Sequence, residues 1–301
     1  MDYQVIYFFD QNVRLVQFFQ EKVNDLYLEN KKVMIYKFSL IEKILLANDI
    51  IPHPFADASS SVGLGFALGC SVKLKIADAL SMDYKAVNSL ATSANVSEIG
   101  CEIILDCLDA LGYVQKKENK YAFTKRGFKS LSAESPGNFR YFILFCDYLY
   151  KGYIHIDETI KLGKRPHSNM LEEMTEYEWE LFSRAMIDIS KTNVKEVCKK
   201  IPVTKTDSKM LDLGGSHGLY SIELCKKYPR LRSSVLDLPP VKKYADECIA
   251  KQHAANNVSF VASDFMKDEL PKGNDIILAF NIIHGLNPAK NDELAKNVFS
   301  S

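Results

Sequence analysis

From about residue 60 to 195 the apolar positions recur every third and fourth residue, as in GFALGCSVKLKIADAL and EIGCEIILDCLDALGYV, which predicts helices. From residue 209 the pattern changes. Short β-rich runs alternate with helical stretches: MLDLGG, LYSIELCKKY, RSSVLDLP, VKKYADECIAKQHA, VSFVASDF and DIILAFNIIH. Strand and helix in alternation is the order of a parallel sheet with crossover helices. The change falls at the polar, proline-bearing stretch IPVTKTDSK, residues 201–209. No internal repeat or low-complexity tract interrupts the pattern.

Within the helical half, residues 84–128 read as a winged helix. YKAVNSLATSANV gives a helix and turn, SEIGCEIILDCLDALGYV a second helix, and VQKKENKYAFTKRG a hairpin with Asn119 near its tip. The helix that would enter a DNA groove carries Glu98, Glu102, Asp106 and Asp109 and no Lys or Arg. Acidic groups repel phosphates, so this fold is expected to serve protein–protein contact, namely dimerisation, and not nucleic-acid binding.

Composition narrows the class. With 47% hydrophobic and 25% charged residues the chain is globular, and its 301 residues suit two domains at roughly 100–200 residues each. Lys plus Arg and Asp plus Glu both number 38, so no net field draws the protein to nucleic acid or to an anionic membrane. Seven cysteines, odd in number and without a C-x-x-C pair, argue against a disulfide framework and a zinc site and for a reducing, cytoplasmic setting. The aromatic N-terminus MDYQVIYFFDQNVRLVQFF is broken by Asp2, Asp10 and Arg14 before a signal-type apolar core of about 7–15 residues can form. It is expected to be a helix packing on a partner subunit or on the second domain. No stretch reaches the roughly 18 apolar residues of a spanning helix, so no membrane is expected.

The chemistry concentrates at LDLGGSHG, residues 211–218, which follows a predicted strand and opens a helix, the place where doubly wound folds bind a nucleotide-like ligand. A dinucleotide fingerprint fails in both frames: from Gly214 its three positions hold Gly214, Ser216 and Leu219, and from Gly215 they hold Gly215, His217 and Tyr220. A phosphate loop fails for want of Gly-Lys-Ser/Thr. Asp212 beside the loop would repel a pyrophosphate but would favour the cationic sulfonium and ammonium of S-adenosylmethionine. Asp237, closing the second strand, can accept from both ribose hydroxyls. Asp264 closes the third strand where the adenine edge would lie, with Phe265 able to pack on its face. Each alone could be an ordinary turn aspartate, and His217 an ordinary occupant of a variable loop position. Three successive strand ends carrying Asp after a glycine loop point to a site.

LDLGGSHGLYSIELCKKYP, VLDLPPV, VASDF and DIILAFNIIHGLNP, in this order and spacing, resemble the class I S-adenosylmethionine-dependent O-methyltransferases of the caffeate and acetylserotonin type. The winged-helix segment and EYEWELFSRAM resemble that family too, so the likeness runs from about residue 62 to the end. It implies a mainly α winged-helix dimerisation domain followed by a Rossmann-like α/β methyltransferase domain with a parallel sheet, here divided as 61–200 and 201–301 after a helical extension over 1–60. It implies a homodimer that transfers a methyl group to a hydroxyl of a small, aromatic acceptor. Carried over by residue, it assigns the cofactor loop to Gly214, Gly215 and Gly218, the ribose side to Asp237 and Leu238, the adenine side to Asp264 and Phe265, with Asn281 also on the cofactor. Phe182 and Met186 fall where the family lines its methyl-transfer pocket. Trp179 shares their helix face by spacing, as a core residue would.

His284 falls where the family places its general base, and imidazole, titrating near neutrality, suits removal of a hydroxyl proton. Gly285 and Leu286 follow it where the family carries Asp-Trp. No metal is implied, because no ligand cluster appears. The chain stops at NDELAKNVFSS, inside the helix after the fourth predicted strand, whereas a sheet of this class calls for about three more strands. A C-terminally truncated chain is therefore expected, either a fragment or a short form. The competing reading is an inactive methyltransferase-like scaffold that keeps the dimerisation surface.

Overall fold

The computed structural model describes residues 53–154, 156–163, 170–283 and 286–301. Most of the expected 1–60 extension, with its aromatic N-terminus, lies outside them. The described residues form two compact units that divide between Met174 and Thr175, ahead of the 201–209 stretch where the sequence pattern changes.

In the first unit, α1 (His53–Lys73) and α2 (Ile76–Ala79) precede β1 (Lys85–Ala86), α3 (Val87–Ala94), α4 (Glu98–Ala110), β2 (Val114–Lys117) and β3 (Lys120–Phe123). Then come α5 (Lys125–Leu131), α6 (Arg140–Tyr153), α7 (Ile156–Leu162) and α8 (Met170–Glu173). The order helix, turn, helix, hairpin expected over 84–128 is present. The predicted first helix starts later than expected, because Lys85 and Ala86 pair with β3 in an antiparallel three-stranded sheet ordered β1-β3-β2.

Local chemistry sets these boundaries. Asn95 ends α3 in the left-handed region at φ 55°, which Asn tolerates better than most residues. Ser97 caps α4 by accepting from the Gly100 N–H at 3.1 Å. Along α4, Cys101, Leu105 and Leu108 recur at helical spacing and are fully buried against Leu90, Val114, Tyr121 and Phe123. The acidic face is partly neutralised from the hairpin. Lys116 pairs with Glu102 and Asp106 at 3.3 and 2.9 Å, and the Tyr121 hydroxyl donates to Asp106 at 2.7 Å.

The second unit opens with α9 (Glu176–Ser190), held by a capping box between Thr175 and Glu178, and α10 (Val194–Lys200). The alternating part follows as β4 (Lys209–Leu213), α11 (Leu219–Lys227), β5 (Arg232–Asp237), α12 (Lys242–Lys251), β6 (Val258–Ala262), β7 (Ile276–Leu278) and α13 (Pro288–Ser300). The four strands are parallel in the order β6-β5-β4-β7. The two helices expected in the helical half fold with this sheet: Cys198 and Ile201 are buried with Met210, Tyr220 and Ile222, and the Tyr220 hydroxyl donates to Asn193 at 3.0 Å. On the opposite face Leu294 and Val298 of α13 cover Leu211, Leu213 and Leu236.

Two strand ends differ from expectation. The fourth strand stops at Leu278 and does not run through DIILAFNIIH, since Asn281 adopts a left-handed φ of 55° that extended backbone excludes. The third stops at Ala262, so Asp264 lies in the turn beyond it.

Candidate active site

In a parallel sheet all carboxyl ends lie along one edge, so the segments after Leu213, Asp237, Ala262 and Leu278 gather there. The glycine loop is fixed to the neighbouring strand end. Gly214 N–H donates to the Leu236 carbonyl at 2.8 Å, and Ser216 N–H donates to Asp237 Oδ2 at 2.8 Å. Gly214 has φ 63°, and a Cβ on it would run into the Ile282 side chain, with Phe265 Cε1 at 3.6 Å. A Cβ on Gly215 would stand 2.5 Å from Asp212 Cγ. Only glycine fits at either place. Gly218 then opens α11.

Asp237 accepts one N–H on each oxygen, from Ser216 and from Leu238 at 2.7 Å. Each oxygen keeps acceptor capacity for a ligand hydroxyl. Burial lifts its carboxyl above the ordinary range despite those two donors.

Asp212 differs from its expected placement. It is 1% exposed, lies under Gly215, and accepts from Ser221 Oγ at 2.7 Å, so it supports the loop from beneath. Burial raises its pKa to about 7, which weakens the charge-based argument for it at neutral pH. Ser221 Oγ in turn lies 2.8 Å from Ser233 Oγ, joining loop, helix and strand. Asp264 accepts from Met266 N–H at 3.0 Å and pairs with Lys267 at 3.0 Å, the bonding of a turn aspartate, while Phe265 lies against Gly214 and Ile282. Asn281 is exposed.

On α9, Trp179 is 7% exposed and meets Phe182 edge-on at 5.9 Å, with Phe182 and Met186 half-buried. His284 and Gly285 lie outside the described residues.

His217 carries more than its sequence context suggests. Only 3% exposed, it bonds Ser190 Oγ through Nε2 at 2.9 Å, and its Nδ1 accepts from the Leu219 N–H at 3.0 Å. One sequence signal was available: an acceptor two residues before a helix start can satisfy a free N–H there. Nothing in the sequence shows that α9 lies on its other side.

The residues present fit an adenosyl ligand. Asp237 offers a two-oxygen acceptor, Phe265 an aromatic face and the glycine loop a close-approach backbone, and Ser216 Oγ is buried without a hydrogen-bond partner among the described residues. Among the described residues no three His, Cys, Asp or Glu side chains gather as a metal site.

Residues 166–301 match the O-methyltransferase domain family. A 3-hydroxy-5-methyl-1-naphthoate 3-O-methyltransferase of Streptomyces sahachiroi is 24% identical over 81% of this chain and 72% of its own. A 3-O-methylredipecamine 2-O-methyltransferase of Carapichea ipecacuanha is 27% identical over 76% of this chain and 66% of its own. Human N-acetylserotonin methyltransferase, solved in complex with SAM, superposes with a TM-score of 0.68 at 23% identity, over 89% of this chain and 78% of that one, a likeness of fold. Residues 166–301, which hold the Rossmann-like part and its glycine loop, thus resemble the O-methyltransferase domain family.

Proposed function

We propose that the chain methylates a hydroxyl of a small aromatic molecule, with the cofactor held by the glycine loop and Asp237. When bound, S-adenosylmethionine supplies an electrophilic methyl on a sulfonium. Asp237, with Leu238 beside it, would hold the ribose hydroxyls, Asp264 and Phe265 would hold the adenine side, Asn281 would also face the cofactor, and Gly214, Gly215 and Gly218 would let backbone approach. Trp179, Phe182 and Met186 form an apolar wall that positions an aromatic acceptor, and orientation of this kind supplies much of the acceleration. His284 takes the acceptor hydroxyl's proton, the role its place after the fourth strand suggests. The aromatic acceptor rests on the naphthoate-directed relative and on this wall. The unit over 53–174 serves homodimerisation, supported by Ile99 and Ile103, 75% and 58% exposed on α4. Seven free thiols accord with a cytoplasmic setting.

The observation that carries this reading is the Asp237 carboxylate, fastened to the loop by one N–H per oxygen and still able to accept. Calorimetric titration with S-adenosylhomocysteine tests it. Wild type should bind, and Asp237→Ala should lose at least about tenfold in affinity, the loss of roughly 1.4 kcal/mol or more expected for charge-assisted bonds. No binding by a folded wild-type chain would overturn the enzyme reading and leave a scaffold.

A further inference from the structure

We propose that His217 is a positioning residue, a clasp that fastens the glycine loop to the C-terminal half of α9 so that one imidazole holds both the cofactor side and the acceptor side of the site. The inference rests on the function proposed above for what those two sides do, and on the structure for the clasp itself.

The hydrogen-bond accounting fixes the ring's state. Nδ1 accepts from Leu219 N–H, so it carries no proton, and the neutral ring bears its hydrogen on Nε2. That hydrogen is directed to Ser190 Oγ. Burial holds the pKa down at about 4, which keeps the ring neutral and this tautomer in place at physiological pH. Leu219 N–H is one of the amides that an α-helix leaves without an internal partner, and Gly218 before it has no side chain to serve it. The clasp therefore meets a need at the start of α11 while reaching 27 residues back along the chain. Its far end touches the turn of α9 that carries Met186, four residues on from Phe182.

The two ends can be cut separately. In His217→Asn the side-chain oxygen can still accept from the N–H two residues on, as in an Asx turn, but nothing reaches Ser190. In His217→Gln the amide nitrogen can reach Ser190 while Leu219 N–H loses its acceptor. Two measurements read the ends: S-adenosylhomocysteine affinity by calorimetry for the loop, and amide hydrogen exchange over 186–190 for α9. The Asn variant should keep wild-type affinity within about twofold and speed exchange in α9 about tenfold; Ser190→Ala should reproduce it. The Gln variant should do the reverse, losing about tenfold in affinity, or about 1.4 kcal/mol, with α9 exchange unchanged. Equal changes in both readouts in both variants, or none in either, would overturn the clasp. A wild type that binds no S-adenosylhomocysteine would instead overturn the functional reading, and the exchange data would still decide whether His217 joins loop and helix. Should His217→Asn fail to fold, Ser190→Ala decides the α9 end alone.

Discussion

At the scale of single residues, two buried groups at the loop bind protons in opposite senses. The folded chain keeps a proton on Asp212 up to about pH 7, the unfolded chain only up to its ordinary 3.8, so this group's contribution to stability falls as pH rises between those values. His217 stays neutral in the folded state down to about pH 4 and is protonated below 6.5 when unfolded, so its contribution falls as pH drops through that range. Between about pH 4 and 6.5 the two slopes offset. Relative to wild type, Asp212→Asn should therefore lose stability on acidification from pH 6.5 to 4, and His217→Asn should lose it as pH rises from 4 to 6.5. Each should change slope by up to about 1.4 kcal/mol per pH unit, read from urea midpoints across pH. The tight turn that Gly214 and Gly215 make was legible because its spacing is local to a strand and a helix start. The divergence of Asp212 from Asp237 was not, since both close strands in sequence and only packing puts one beneath Gly215 and the other beside it.

Among the elements, the hairpin and α4 show which contacts matter. Tyr121 is fully buried, its hydroxyl donates to Asp106, and burial with that carboxylate nearby pushes its pKa up to about 12. Lys116 makes its two ion pairs in solvent. Tyr121→Phe should cost about 1–2 kcal/mol and Lys116→Ala less than about 1 kcal/mol, measured by chemical denaturation, since a hydrogen bond to a charged acceptor outweighs exposed pairs. The succession of helices and strands along the chain and the hairpin were readable from periodicity and turn residues, whereas the spatial order β6-β5-β4-β7 was not. Nor was the placement of α9 and α10. Their pattern is that of any amphipathic helix, and only the burial of Cys198 and Ile201 with Met210 and Ile222 assigns them to the sheet.

For the whole molecule, the glycine loop and the winged-helix-like segment belong to different compact units, each with its own apolar core. A ligand held by the loop adds its binding free energy to the unit that contains it. At about one hundred times its Kd, S-adenosylhomocysteine should stabilise the 175–301 unit by about 2.7 kcal/mol. Hydrogen exchange should accordingly slow over 209–241 and stay unchanged over 87–131; equal slowing in both would refute a site confined to the loop. No described helix is long and apolar enough to cross a membrane.

The short chain of hydroxyls from Asp212 through Ser221 to Ser233 has a direction. While Asp212 is ionised it can only accept, so Ser221 gives it its single hydrogen and must receive one from Ser233. A proton arriving on Asp212 frees the row to reverse, with carboxyl giving to Ser221 and Ser221 to Ser233. One titration event therefore turns two hydroxyl dipoles between the floor of the loop and the second strand, and the polarity of the sheet interior follows the ionisation of one acid.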